Sequence, residues 1–376
     1  MNLSTELSIS IIIPVHNGGD SFRQCLSSIS ASISKPTEII VVADGDTDNS
    51  WQVAAEWGAK VIRVEEKGGP AQARNLGAAA AQGDILFFVD ADVVIAPDTI
   101  NRVRLAFEKD ANLGAVIGSY DDAPGASNFL SQYKNLFHHY THQTAKEDAF
   151  TFWGACGGIR RDIFLAMGGF DESYRRPCVE DIELGYWLKT AGYKIRLDKA
   201  LQVKHLKRWG IVALVKADVC DRALPWTKLI LRERQMRSDL NLGWSSRLSV
   251  VLVYSLLVSL VACWWLNPLF YVAMIITLLL LIINFSVYSF FLQKRGFIFT
   301  LMVCPWHWFY YFYSGLAFVI GIFLFQTSRK KCIKEQLLMT MLRNVNLIRS
   351  NFCIEAWQYQ SLKAERLCRL FNPRAL

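Results

Sequence analysis

From Leu248 onward the chain carries three successive runs free of Asp, Glu, Lys and Arg: residues 248–266, 269–292 and 297–325. Each is near or above the roughly 20 residues that an α-helix needs to cross a hydrocarbon core. One such helix fits inside a soluble core. Three in a row, separated only by Asn267 and Pro268 and by residues 293–296, leave too little polar surface to cover them. Trp264 and Trp265 stand at a run end, where amphipathic rings favour a bilayer interface, and Trp306 and Trp308 lie within the third run. The expectation is a membrane region of about three spans over residues 248–325.

Charge divides along the same line. Residues 1–203 carry 19 Lys/Arg against 26 Asp/Glu, whereas residues 204–247 carry 10 against 4 and residues 326–376 carry 10 against 3. An acidic domain is thus followed by two basic segments that bracket the apolar one, a pattern suited to an anionic membrane surface. A nucleic-acid partner is not expected, since its positive charge would sit on the folded domain itself. The nine cysteines form no CxxC pair, and residues 1–8 do not read as a signal peptide. The first domain is therefore expected in the cytoplasm of an integral membrane protein, at the plasma membrane if the source is bacterial. Cytosolic Lys294 and Arg295 suit a hairpin of the first two runs. A third span would then leave the basic tail (326–376) outside, against the positive-inside tendency, unless the run interrupted by Pro305 does not cross.

The first half alternates strand and helix. Residues 8–15 (SISIIIPV), 38–42 (EIIVV), 60–64 and 84–89 (DILFFV) read as strands, and residues 20–34, 51–58 and 71–81 as helices between them. Continuous apolar strands alternating with helices imply a mostly parallel, Rossmann-like sheet covered on both faces. Such sheets bind ligands beyond the carboxyl ends of their strands, which draws attention to Asp44 and to Asp90 and Asp92. Alternate carboxylates at 90 and 92 can converge on one hard divalent cation, Mg²⁺ or Mn²⁺, together with phosphate oxygens. Asp44 can accept a hydrogen bond from a base or ribose, or simply form the turn, as Asp46, Asp48 or Asn49 could. Residues 206–247 mix Trp, Leu and Ile with Lys and Arg, and read as one or two short amphipathic helices at the interface.

Six blocks then occur in order: IIIPVHN, VVADGDTD, GGPAQARNLGAAAAQGD, FFVDAD, GACGGIRRDIFLAMGGFDE and VEDIELGYWLKTAGY. Together they resemble the family-2 glycosyltransferases with their GT-A nucleotide-diphosphosugar fold, over about residues 8–205. The resemblance implies an inverting transfer from a nucleoside diphosphate sugar, UDP- or GDP-linked. By position it implies that Pro14 and His16 line the start of the nucleotide site and that Asp44 meets the base. Arg74 and Asn75 would lie near the donor. Asp92, with Asp90, would hold the metal and diphosphate, Asp90 being nearer the ribose or sugar in some relatives. His205 matches a histidine that often contacts the metal or diphosphate. Asp181 would be the catalytic base, with Glu180 as the alternative and helix capping as the purely structural role of either. An inverting displacement needs one carboxylate to take the acceptor hydroxyl's proton, and a cation to stabilise the departing diphosphate.

Two departures narrow the reading. Ala43 stands where the family pairs two acids. The Gln-x-x-Arg-Trp signature of the processive synthases is missing, Arg222-Ala-Leu-Pro-Trp226 standing instead. The expected function is a non-processive transfer to a lipid or lipid-linked acceptor. A processive polysaccharide synthase and a non-catalytic membrane scaffold with a retained fold are the competing readings. His138, His139 and His142 are expected on one helix face, away from any metal, and Arg160, Arg161, Arg175 and Arg176 could hold a phosphate or form a solvated basic face.

Overall fold

The computed structural model describes residues 6–234 and 243–346, with side chains as far as residue 330. Its first part is one mixed sheet of eight strands, wrapped by helices. In chain order these are β1 (Ile9–Val15), α1 (Gly19–Ser30), β2 (Glu38–Asp44), α2 (Ser50–Glu56), β3 (Lys60–Val64), α3 (Pro70–Ala80), β4 (Ile85–Val89), β5 (Val93–Ile95), α4 (Thr99–Lys109), β6 (Leu113–Tyr120), α5 (Phe129–Thr144), β7 (Cys156–Arg160), α6 (Arg161–Ala166), α7 (Glu180–Thr190) and β8 (Lys194–His205). The strand order is β3-β2-β1-β4-β7-β6-β8-β5. Strands β3, β2, β1 and β4 are mutually parallel, as the alternation of elements requires. β7 lies antiparallel between β4 and β6, and β5 antiparallel on β8, pairings that the linear pattern did not foretell.

Alternation assigns each strand residue to a face. Ile9, Ile11, Ile13 and Val15 join Val41, Phe87 and Val89 in one core beneath α1 and α4, whereas Ile12, Ile40, Val42 and Phe88 face the other, beneath α3, α6 and α7. Each fully buried side chain of this size contributes about 1.5–3 kcal/mol. Helix α3 sits close to the sheet because its inner face is Ala71, Ala73, Gly77 and Ala78; a Cβ on Gly77 would lie 2.5 Å from Ile12 Cγ2. Pro70 opens the helix at a position where a missing N–H costs nothing.

Beyond the sheet, α8 (Ile211–Lys216), a π-helical stretch (Ala217–Ala223) and α9 (Leu224–Glu233) follow one another without a break. The interfacial segment expected over residues 206–247 therefore contains, from residue 211 to 233, one continuous helix. Three apolar helices come next: α10 (Trp244–Ala262), α11 (Leu269–Ile283) and α12 (Phe285–Asn346), the last turning sharply at Gly296 (φ 80°). The apolar run at residues 269–292 is thus not a single helix. Asn284 divides it, because its side chain finds partners in Ser249 Oγ (2.9 Å) and Tyr311 Oη (2.8 Å). Two of these helices, Trp244–Ala262 and Phe285–Lys330, are long and apolar enough to cross a membrane, and Leu269–Ile283 is shorter.

Candidate active site

The carboxyl ends of β1, β2, β4, β6 and β8 open on one side of the sheet, and the N-terminus of α7 completes the cleft. At the β2 end, Asp44 is buried and accepts the backbone N–H groups of Gly68 (2.7 Å) and Gly69 (2.8 Å), while its own carbonyl meets His16 Nδ1 (2.8 Å). Asp44 therefore clamps the loop that leads into α3. Gly69 is required there: its φ is +98°, and a Cβ would lie 2.7 Å from the Arg175 backbone. His16 is exposed and Pro14 half-buried beside this clamp.

One turn into α3, buried Arg74 bridges two acids, Nη2 to Asp90 Oδ1 (2.7 Å) and Nη1 to Glu180 Oε1 (2.9 Å). The other Glu180 oxygen accepts the Cys178 N–H (2.8 Å). Asp181 is held differently, by the N–H groups of Gly154 (3.1 Å) and Ile182 (2.8 Å), and its side chain stays partly exposed to the cleft. Burial, then the neighbouring charge of Glu180, push its carboxyl up to about 7, against the opposing pull of Gly154, Arg74 and Ile182. Gly154 leaves room for Arg74, since a Cβ there would lie 2.9 Å from Cζ.

Asp92 lies across the cleft from this pair, at the point where β5 meets β8. Its Oδ2 faces His205 Nε2 at 3.4 Å, and the other ring nitrogen, Nδ1, contacts Asn135 Oδ1 (2.9 Å). The ring thus links the Asp92 carboxylate to the Asn135 side chain. Burial pushes the Asp92 carboxyl up, but His205 and Lys207 hold it below the ordinary carboxylate range. A carboxylate oxygen and an imidazole nitrogen 3.4 Å apart could share a divalent cation. Among the described residues no three His, Cys, Asp or Glu side chains cluster to hold a metal by themselves. The pair therefore fits a cation that takes its remaining ligands from a diphosphate and water, as Mg²⁺ commonly does.

The other expected residues fall outside the cleft chemistry. The Asn75 amide is taken up by the Phe170 backbone in both directions (2.9 Å each) and by Glu172, so it ties α3 to the loop before α7. Arg160 donates to the Leu113 and Phe107 carbonyls, while Arg175 and Arg176 are exposed. His139 and His142 cap the Tyr120 and Gly118 carbonyls from α5. Tyr120 was not anticipated: its ring stacks on His205 (4.5 Å, 11° between planes) and touches Trp153. Its place at the carboxyl end of β6 was the available signal, hidden because β6 was not recognised as a strand.

A strand-end cleft with paired acids at the close of β4 and a buried Arg–Glu pair at a helix start defines a nucleotide-type α/β domain. Residues 10–168 match the family described as glycosyl transferase family 2. Residues 10–168 thus carry a glycosyl transferase family 2 domain. Among curated proteins it is 35% identical over 118 residues to the glycosyltransferase GlyG of Streptococcus pneumoniae, covering 30% of this chain and 38% of that protein. It is 27% identical over 212 residues to the probable glycosyltransferase YdaM of Bacillus subtilis, covering 52% of this chain and 50% of that one. The chain thus spans half or less of these relatives' length. A solved mannosyltransferase of Pyrobaculum calidifontis, in complex with GDP-Man and Mn²⁺, overlays at a TM-score of 0.49 with 14% identity, covering 85% of this chain and 87% of that one.

Proposed function

We propose that the protein is an inverting, non-processive glycosyltransferase that moves a sugar from a UDP- or GDP-linked donor to a lipid or lipid-linked acceptor, with Asp181 as general base. The observation that carries this reading is the unequal treatment of two adjacent acids. Glu180 is buried and ion-paired with Arg74, which makes it a structural counter-ion, whereas Asp181 is held only by backbone N–H groups and is partly exposed. Asp181 keeps capacity toward the cleft, and a carboxyl near 7 is matched to proton abstraction at neutral pH. Asp92 and His205 are the residues that would hold Mg²⁺ or Mn²⁺, with Asp90 beside them, and the bound cation supplies Lewis-acid stabilisation to a departing diphosphate. Asp44 holds the floor of the nucleotide pocket through Gly68 and Gly69, with His16 and Pro14 at its edge. The apolar helices support an integral membrane location, with the glycosyltransferase domain on the cytoplasmic side.

The test is transfer from radiolabelled nucleotide-sugars to membrane-lipid acceptors in the presence of Mn²⁺. Asp181→Asn abolishing turnover while Glu180→Gln retains part of it supports the assignment, and the opposite result overturns it. A long polymer as product would replace this reading by a processive synthase. Absence of both transfer and donor hydrolysis across uridine and guanosine donors would leave a non-catalytic scaffold.

A further inference from the structure

α12 lies first along α5 of the glycosyltransferase domain and then along the helix of residues 211–233 that follows it. Before the Gly296 turn, Ser286 accepts a hydrogen bond from Tyr140 (2.8 Å) and Phe291 stacks on Tyr133 (5.7 Å). At the turn, Lys294 pairs with Asp122 (2.7 Å) and Arg295 donates to Gln132 (2.7 Å) and to the Asp122 carbonyl (2.9 Å). Lys294 and Arg295 are therefore on the domain's side of any membrane. After the turn, contact with α5 continues through Phe299 on Phe129 (5.1 Å), His307 bonded to Tyr133 (2.7 Å) and Tyr310 on Phe137 (5.6 Å), and passes to the following helix where Tyr313 is bonded to Asp218 (2.8 Å). Gly321 finally lies against Thr227, so close that a Cβ would meet Cγ2 at 2.8 Å.

From 299 to 321 the axis advances about 33 Å at 1.5 Å per residue, as far as a hydrocarbon core is thick. A helix that crossed the bilayer over this stretch would carry the buried Lys134–Asp218 ion pair (2.5 Å) into the hydrocarbon with it. Away from the domain the same helix shows an apolar stripe, with Phe297, Leu301, Leu316, Ile320 and Phe323 all exposed. α10 and α11 pack on each other through Val253, Leu256, Ala273 and Ile276, and Tyr311 of α12 joins the same cluster, with Gly315 close against Val250 and Tyr254. Their connecting turn ends in exposed Trp264 and Trp265.

We propose that residues 297–325 of α12 lie in the plane of the membrane interface, one face on α5 and the helix after the domain and the outward stripe on lipid. Only the α10–α11 hairpin then enters the hydrocarbon. The basic segment 326–376, with 10 Lys/Arg against 3 Asp/Glu, stays on the same side as the domain and as Lys294 and Arg295. That arrangement satisfies the positive-inside tendency, which three crossings would violate.

The inference rests on the membrane reading, and its test separates the two by using no activity readout. Full-length protein in membranes is first extracted with alkaline carbonate; release into the supernatant refutes the membrane reading itself. Retained protein is fused at Leu376 to a reporter active only in the cytosol or only outside, and cytosolic activity alone is expected. Exterior activity means an odd number of crossings and overturns the proposal. An environment-sensitive fluorescent amino acid is then placed at Leu301 or Ile320 in vesicles of lipids brominated at defined acyl depths. Equal, shallow quenching at both positions is the expected result. Depths differing by tens of ångströms, or protection from every lipid by a second copy or other protein, overturn it.

Discussion

The two halves of the chain distribute polarity in opposite senses. In the sheet domain, Ile11, Phe87 and Phe88 are wholly buried and charges meet at its rim, where each buried one has a partner. In the helical half a polar line runs through the buried apolar packing: Ser249, Asn284, Tyr311, His307 and Tyr133 form a continuous hydrogen-bonded chain across α10, α12 and α5. The exposed surface there is apolar, with Val258, Ile298 and Val319 each more than 60% open. Burial of apolar area drives the first arrangement. In the second, satisfaction of polar groups selects the contacts, as it must where the surroundings offer no hydrogen bonds.

The sharpest break of this comparison lies at the cleft. Asp181→Asn is expected to lower kcat about 10²–10⁴-fold, the usual contribution of a positioned base, with the melting temperature unchanged or raised because a costly buried charge is gone. A kcat within a few fold of the parent would remove Asp181 from the chemistry. Next in size is Arg74→Met, which leaves Glu180 buried and unpaired. Thermal unfolding of the full chain in detergent should show a loss of about 3–5 kcal/mol.

The pH profile gives a smaller effect. Burial and Glu180 raise the Asp181 carboxyl to about 7. The base acts only when deprotonated, so kcat/KM should rise about tenfold from pH 5 to pH 6, level off through about 7 and stay flat above. Because the proton is bound more tightly in the folded state, this group favours folding at low pH, and that contribution is lost as pH rises through about 7. A limb in the ordinary carboxylate range would show that the cleft is more hydrated than its geometry indicates. The smallest change is expected in the helices. Asn284→Leu should cost only about 0.6–1.7 kcal/mol in detergent-solubilised protein. A loss as large as that of Arg74→Met would mean that the helical half depends on its polar chain as the domain depends on its ion pairs.

Much of this was legible in the sequence where one segment sufficed. The parallel strands and the placing of Asp44, Asp90 and Asp92 at strand ends follow from apolar runs that stop at acids. Arg74's role was not legible, because its partners stand 16 and 106 residues away. The difference between Glu180 and Asp181 depends on which of two neighbours the guanidinium reaches. Hydropathy could not show the division at Asn284, since a run of apolar residues says nothing of where one amide finds Ser249 and Tyr311. Nor could it show that α12 follows α5 and the helix after the domain, which depends on Tyr133, Phe137 and Asp218 being brought to one layer.

The Asp44 clamp has a mechanical consequence. Its carboxylate holds Gly68 and Gly69, the last residues before α3, and Arg74 stands on that helix beyond Pro70. Because α3 is packed closely on the sheet through Gly77, the position of the glycine pair helps to fix where the guanidinium stands. Asp44, the glycine pair and Arg74 thus form one line of contacts from the end of β2 to Asp90 and Glu180.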